Sequence, residues 1–103
     1  MKVLAKGNSM YPTMKDSYEY EMHKVDFKEI KTNDVIVFRT TNEKNISHRV
    51  VKVIKTQAGK IFLETKGDNC DVPDPFVVDE NMILGKIDLK SGRYHVAETE
   101  DTE

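Results

Sequence analysis

The sequence predicts a single small domain that is mainly β, built as a coiled sheet or a partly open barrel. Apolar residues come in short bursts of strand length, and turn-forming residues bound them. After Pro12 these bursts cover residues 18–22, 34–38, 46–54, 61–63, 76–78 and 82–87. Many short strands at close spacing favour a closed or curled sheet, because closure removes exposed strand edges.

Individual segments carry more specific signals. The Tyr-Glu-Tyr-Glu-Met run at 18–22 alternates with period two, which predicts a strand with one face in water. Residues 35–38 are apolar throughout, as is typical of a strand covered on both faces. Residues 28–31 have room for at most one helical turn. The Ser91-Gly92 pair predicts a turn after the last burst.

Length, charge and cysteine content narrow the class of protein. The chain has 103 residues, of which 38% are hydrophobic and 33% charged, and this composition fits one domain. Sixteen basic and 18 acidic residues give a net charge of -2, so no broad positive field is available for nucleic acid. The single cysteine, Cys70, can form neither an internal disulfide nor a cysteine-pair metal site. We expect a reducing compartment and no cofactor or metal.

The two ends of the chain lack the signals of export or membrane insertion. The first six residues contain two lysines and are too short for the apolar core of a signal peptide, and no segment approaches the ~20 apolar residues of a membrane span. We expect a soluble, cytoplasmic protein, whose association with a membrane would be peripheral or through a partner. Residues 1–93 are predicted to form the domain, and the acidic residues 94–103 a flexible tail.

A candidate nucleophile lies near the start of the chain. A nucleophilic serine needs an exposed turn, a base for its proton and backbone amides for the oxyanion. Gly7 and Asn8 before Ser9 give the backbone the conformational freedom that such a turn needs, and Pro12 restricts the backbone after it. The same pattern also fits an ordinary turn, so Ser9 needs support from other residues.

Three histidines could supply the base. His48 lies in a strongly β stretch, where its neighbours would hold the side chain, whereas His23 and His95 are expected at the surface. An unperturbed imidazole titrates near ~6.5 and is mostly neutral at pH 7, so it can accept a serine proton. The alternative is a histidine half-buried on a strand face.

A carboxylate that orients the imidazole would come from the loop at 66–75. This loop contains Asp68, Asp71 and Asp74 together with a glycine and two prolines. Loops of this kind often only turn the chain, but a rigidly held carboxylate can also stabilise a protonated histidine. The residues by themselves leave all three aspartates eligible.

Four blocks of the sequence, in order, resemble the type I signal peptidase family, in particular its Ser-His branch. Residues 7–14 (Gly-Asn-Ser-Met-Tyr-Pro-Thr-Met) resemble the family's serine box, and residues 33–38 (Asn-Asp-Val-Ile-Val-Phe) its second block. Residues 47–51 (Ser-His-Arg-Val-Val) resemble the histidine block. Residues 65–69 (Thr-Lys-Gly-Asp-Asn), with Asp74 and residues 83–87, resemble the last boxes. The resemblance therefore spans residues 7 to 87.

The resemblance implies a fold, an activity and a set of site residues. It implies a signal peptidase- or LexA-like coiled sheet and a serine endopeptidase that cuts a peptide or protein precursor, without cofactor or metal. The implied roles are nucleophile for Ser9, general base for His48 and its paired carboxylate for Asp74. Asp68 would support the site from the same loop. The alternative is an inert peptide-binding module on this fold.

The family's substrate groove is shallow and apolar, and it prefers small residues at the cut and two positions before it. The groove residues expected here are Met10, Tyr11, Val35 and Val37.

The chain departs from the family pattern at three points. Gly7 stands where the family usually has a serine that lines the oxyanion hole, so backbone amides, that of Ser9 first, would do this work. Asn33 replaces a glycine, a mild change because asparagine tolerates positive φ. The family's membrane anchor has no counterpart in the sequence, so we expect a dedicated precursor as substrate, or a partner at the membrane. The sequence does not predict an oligomeric state.

Overall fold

Seven strands form one curled, half-barrel antiparallel sheet in the computed structural model, which describes residues 1–96. Their order across the sheet is β1-β2-β7-β3-β4-β5-β6. The strands are β1 (Lys2–Leu4), β2 (Tyr18–His23), β3 (Val35–Arg39), β4 (Asn45–Lys55), β5 (Ile61–Lys66), β6 (Val77–Val78) and β7 (Ile83–Tyr94). Single-turn 3₁₀ helices cover Phe27–Glu29 and Glu80–Met82. The predicted mainly β class is confirmed.

Strand β3 lies in the middle of the sheet, between β7 and β4. Its first four residues are buried, as the continuous apolar run predicts. Because successive side chains of a strand point to opposite faces, β3 contributes to two separate cores. Val35 and Val37 pack into one, and Ile36 and Phe38 into the other.

The two cores divide the sheet between them. The first joins β2 and β7 to the loop before β2, and its buried members are Met10, Met14, Tyr20, Met22, Val35, Val37 and Ile87. The second joins β4, β5 and β6, and its buried members are Phe27, Ile30, Ile36, Phe38, Val50, Leu63 and Val78. Burial of one such side chain contributes roughly 1.5–3 kcal/mol. The first core therefore fixes the loop that carries Ser9, and the second supports the strand that carries His48.

The predicted turn at Ser91-Gly92 is wrong, because β7 continues to Tyr94. The Ser91 hydroxyl accepts a hydrogen bond from the Glu21 N–H at 2.7 Å and thus replaces a ladder partner where the β2–β7 register shifts. Gly92 lies against the ring of Tyr20, where a Cβ would come within 2.3 Å of Cε2. The pair makes an irregularity inside the strand and lets the sheet curl around Tyr20.

Both ends of the described chain belong to the sheet. Strand β1, which the lysine-interrupted sequence did not predict, pairs with β2 in the register Val3↔Tyr20. At the other end Tyr94 pairs with Tyr18, and the His95 N–H donates to the Ser17 carbonyl at 2.9 Å. The sheet thus extends past residue 93, and the rest of the predicted tail, residues 97–103, lies outside the described residues. Across residues 1–96 we find no helix with the length and apolar character that a membrane crossing requires.

Candidate active site

The loop between β1 and β2 presents Ser9 to solvent, while two methionines of the same loop are buried. Gly7 has a φ of 85°, in the left-handed region, and its N–H donates to Asp16 Oδ1 at 2.7 Å. Met10 and Met14 are only 4% and 2% exposed, and the Met14 N–H donates to the Met10 carbonyl. The two methionines anchor the loop in the first core, so the exposed Ser9 side chain is held on a fixed backbone.

The loop at 67–75 packs directly against the serine loop. The Asn69 N–H donates to the Ser9 carbonyl at 2.8 Å, and the Asn69 side-chain amide donates to the Asn8 carbonyl at 3.0 Å. The Asp68 N–H points to the sulfur of Met10 at 3.2 Å. These contacts fix Ser9 relative to the loop that carries the three candidate aspartates.

His48 lies on β4 and faces both Ser9 and the aspartate loop. It pairs with Ile36 of β3, it is 8% exposed, and the Phe38 ring packs edge-on against its imidazole at 6.4 Å. Nε2 lies 3.2 Å from Ser9 Oγ, and Nδ1 lies 2.7 Å from Asp74 Oδ2. An ionised Asp74 can only accept, so Nδ1 carries a proton and donates a hydrogen bond to Oδ2. The lone pair on Nε2 is then free to accept the Ser9 hydroxyl proton.

Asp74 is the aspartate that contacts the imidazole. Its N–H donates to the Thr65 carbonyl at 2.8 Å, and Pro73 and Pro75 flank it. Its Oδ2 accepts a second hydrogen bond, from the Thr65 hydroxyl, at 2.7 Å. Asp71, by contrast, is exposed to solvent. The geometry thus selects one of the three aspartates that the residue types left open.

Asp68 bonds to Arg49 and Thr13 rather than to Ser9 or His48. Arg49 donates from Nε to Oδ1 and from Nη2 to Oδ2, both at 2.8 Å, and the Thr13 hydroxyl donates to Oδ2. The hydrogen bonds from Arg49 are the main cause that lowers the pKa of Asp68; Thr13 adds to them, and burial opposes them. The same pairing raises the pKa of Arg49. Asp68 therefore joins β4 to the serine loop as an ionised carboxylate.

Gly67 lies against Ser9 and His48, although no role is predicted for it from the sequence beyond its place in the loop and in the last of the four blocks. It is buried, and a Cβ there would lie 2.6 Å from the Ser9 carbonyl oxygen, 2.8 Å from Cys70 Sγ and 3.1 Å from His48 Nε2. Its φ is not in the left-handed region, so space rather than backbone conformation requires the glycine. A single sequence offers no signal for such a close approach.

A cleft of about 590 Å³ opens beside Ser9 and His48. One wall is the segment 1–7, which includes β1, and the other is the start of β4 at 45–48. Its floor is apolar and contains Met10, Met14, Met22, Val37 and Leu84.

Two of the four expected groove residues line this cleft. Met10 and Val37 do, whereas Tyr11 is 49% exposed outside it and Val35 is buried in the first core. Met14, Met22 and Leu84 also line the cleft and were not predicted, because their position beside Ser9 depends on how the sheet curls.

The backbone beside Ser9 offers a donor for a developing oxyanion. The Ser9 N–H donates to no acceptor within residues 1–96. Gly7 presents no side chain, and a Cβ built on it would meet no atom within 4 Å. The space next to Gly7 is therefore open.

The other two histidines lie apart from this site. His23 is exposed at the end of β2, and His95 is half-buried and bonded to Glu19. Within residues 1–96, no three His, Cys, Asp or Glu side chains converge to hold a metal ion.

No protein-family model and no curated protein matches the chain.

Proposed function

We propose that this protein is a serine endopeptidase related to the Ser-His branch of the type I signal peptidases. The observation that carries the proposal is the continuous contact from Ser9 Oγ through the His48 imidazole to Asp74 Oδ2, with distances of 3.2 and 2.7 Å. Nucleophile, base and orienting carboxylate are in the order that acyl transfer requires. The resemblance of the four sequence blocks supports the same assignment.

The reaction would proceed through an acyl-enzyme. As Ser9 Oγ attacks the scissile carbonyl carbon, its proton passes to His48 Nε2, and Asp74 stabilises the imidazolium. The Ser9 N–H donates to the oxyanion. The imidazolium then gives its proton to the leaving amine, and the peptide bond breaks. A water molecule, deprotonated by His48, releases the acyl group and restores the Ser9 hydroxyl.

The substrate we propose is an extended segment of a peptide or protein precursor. The Ala5 N–H donates to Tyr18, and the Met1 carbonyl accepts from Met22, so β1 bonds to β2 through residues 1 and 5. In an antiparallel ladder the intervening Lys2 and Leu4 then direct their backbone groups to the free edge, which borders the cleft. An extended peptide could add there as a strand, with apolar side chains toward the methionine-rich floor.

A second candidate is a peptide-binding module that does not cut. The observations that favour it are the free edge of β1 and Gly7, which supplies no hydroxyl to an oxyanion hole. On this reading the peptide would bind in the same cleft, and Ser9 would be unreactive. The cytoplasmic location expected from the sequence stays a prediction under either candidate.

A cleavage assay with active-site variants separates the two candidates. The probe is a set of quenched fluorogenic peptides that contain an Ala-Xaa-Ala sequence, with products identified by mass spectrometry. Ser9→Ala and His48→Ala should each lower kcat/KM by on the order of 10⁴-fold, since triad members act as a unit. His23→Ala, a substitution at an exposed histidine outside the cleft, is the matched control and should leave the rate unchanged. Equal cleavage by Ser9→Ala and wild type would refute the peptidase assignment.

A further inference from the structure

Thr65 is a fully buried threonine beside the proposed catalytic residues. It is 0% exposed, and its hydroxyl donates to Asp74 Oδ2 at 2.7 Å. We propose that Thr65 is a positioning residue, whose hydroxyl holds the Asp74 carboxylate in the orientation that His48 requires. The inference rests on the proposed peptidase function, because it assigns Thr65 a role in the same reaction.

The hydroxyl and the imidazole share one carboxylate oxygen. Oδ2 of Asp74 lies 2.7 Å from Thr65 Oγ1 and 2.7 Å from His48 Nδ1. A carboxylate oxygen has two lone pairs, so the two donors can occupy one each. Rotation of the carboxylate about its bond to Cβ would break both hydrogen bonds at once. Thr65 thus opposes the motion that would release His48.

Thr65 also holds the backbone of Asp74, since its carbonyl accepts the Asp74 N–H at 2.8 Å. Strand pairing puts Thr65 opposite Val50, two residues from His48 on β4. Because side chains alternate along a strand, His48, Val50 and Thr65 share one face of the sheet, and all three are buried. Thr65 is therefore the β5 residue placed to reach the pair of His48 and Asp74 from the interior.

The apolar residues packed around Thr65 offer its hydroxyl no hydrogen-bond partner. Its inward neighbours Leu63 and Val50 are fully buried and apolar, and a valine would suit this face. Burial of a hydroxyl is unfavourable unless a partner satisfies it, and Asp74 is the acceptor that the geometry provides. The Asp74 side chain is 14% exposed, so without Thr65 it could turn toward water. Loss of the hydroxyl would then leave His48 Nδ1 without its oriented acceptor.

Two variants separate the hydroxyl from the volume of the side chain. Thr65→Val keeps the shape and removes the donor, whereas Thr65→Ser keeps the donor and removes a methyl group. The loss of one hydrogen bond to a charged group should lower kcat/KM of Thr65→Val about 10- to 100-fold. Thr65→Ser should stay within about threefold of wild type, because the hydroxyl is retained. Both are assayed with the Ala-Xaa-Ala peptides below their unfolding temperatures.

The tautomer of His48 gives a readout that needs no substrate. Long-range proton–nitrogen NMR spectra at alkaline pH report which ring nitrogen of the neutral imidazole carries the proton. Wild type and Thr65→Ser should hold the Nδ1–H tautomer that Asp74 favours. Thr65→Val should show a larger fraction of the Nε2–H tautomer. Because the NMR measurement does not depend on cleavage, it tests the role of Thr65 even if the peptides are not cut.

The outcomes either support or overturn the inference. A changed tautomer in Thr65→Val, restored in Thr65→Ser, supports it. An unchanged tautomer in Thr65→Val overturns it, even if activity falls, since that fall would reflect packing alone. A tautomer change of equal size in both variants overturns it too, because the hydroxyl would not be the cause.

Discussion

The backbone of Gly67 runs so close to Ser9 that a Cβ at position 67 would lie 2.6 Å from the Ser9 carbonyl oxygen. The same atom would lie 3.1 Å from His48 Nε2. The backbone just after β5 therefore packs against the serine loop and the His48 imidazole only because residue 67 has no side chain. The positions of Ser9 and His48 therefore depend on Gly67, a residue that has no side chain and no chemical role of its own.

Gly67→Ala should impair both cleavage and stability. The added methyl group must displace Ser9, His48 or Cys70, and displacements of about 1 Å in an active site can cost on the order of 100-fold in rate. We expect kcat/KM to fall about 10- to 100-fold, with a loss of stability of about 1–3 kcal/mol from overpacking. Peptide cleavage and urea unfolding measure the two effects.

Gly59→Ala is the matched control for this variant. Gly59 lies between β4 and β5 with a φ of 86°, so an added Cβ should also reduce stability, through backbone strain. A Cβ there would meet no atom within 4 Å, so the substitution disturbs neither Ser9 nor His48. Its kcat/KM per folded molecule should equal that of wild type. Equal activity of Gly67→Ala and Gly59→Ala would contradict the packing argument for Gly67.

Replacement of Asp68 should change stability in a pH-dependent way. Hydrogen bonds from Arg49, and then from Thr13, lower the pKa of Asp68 in the folded protein below the value of about 3.9 for an unfolded chain. A depressed folded-state pKa stabilises the fold above the unfolded value, and this contribution is lost as the pH falls through the folded pKa. Asp68→Asn should therefore cost roughly 1–3 kcal/mol at pH 7, and less below about pH 4.

Urea unfolding of wild type and Asp68→Asn at pH 7, 5 and 3 measures this difference. Asp71→Asn, a substitution at an exposed aspartate of the same loop, serves as control and should change stability by less than about 0.5 kcal/mol. A difference between wild type and Asp68→Asn that stays constant from pH 7 to pH 3 would show that the charge of Asp68 contributes nothing.

Leu4→Pro tests the proposal that a peptide adds to the free edge of β1. Proline removes the Leu4 N–H, which points to the cleft rather than to β2, and edge strands tolerate proline. We expect KM for the fluorogenic peptides to rise about 3- to 10-fold, the loss of one backbone hydrogen bond. Leu4→Ala controls for the lost side chain. If both variants raise KM equally, the backbone of β1 does not bind the peptide.

The outline of the fold could be predicted because the apolar pattern is local. Residues 35–38 are apolar throughout, and β3 is covered on both faces accordingly. Asn33 was expected to tolerate positive φ, and it adopts 83°. The predicted turn at Ser91-Gly92 was wrong because a Ser-Gly pair has the same composition whether it lies inside a strand or at the end of one. What distinguishes the two cases is the Tyr20 ring, which lies far away in the sequence.

The candidate site could be predicted only in part, for a related physical reason. The residue types of Ser9 and His48 suit their proposed roles, but only the curled sheet brings them to 3.2 Å. The contact of His48 with Asp74 rather than Asp71 depends on which way the loop turns, and the composition of the loop does not determine that direction. Thr65 carried a weak signal, since a threonine that alternates with the buried Leu63 requires a partner.

Detection of an acyl-enzyme on Ser9 decides between a serine peptidase and an inert peptide-binding module. A peptide ester that ends in Ala-Xaa-Ala is mixed with the protein, quenched in acid during turnover, and examined by intact-mass and peptide-mapping mass spectrometry. We expect the wild-type protein to gain the mass of the acyl group at Ser9, and Ser9→Ala to gain none and form no product. Product formed at equal rates by both proteins, without an adduct at Ser9, would show that Ser9 is not the nucleophile.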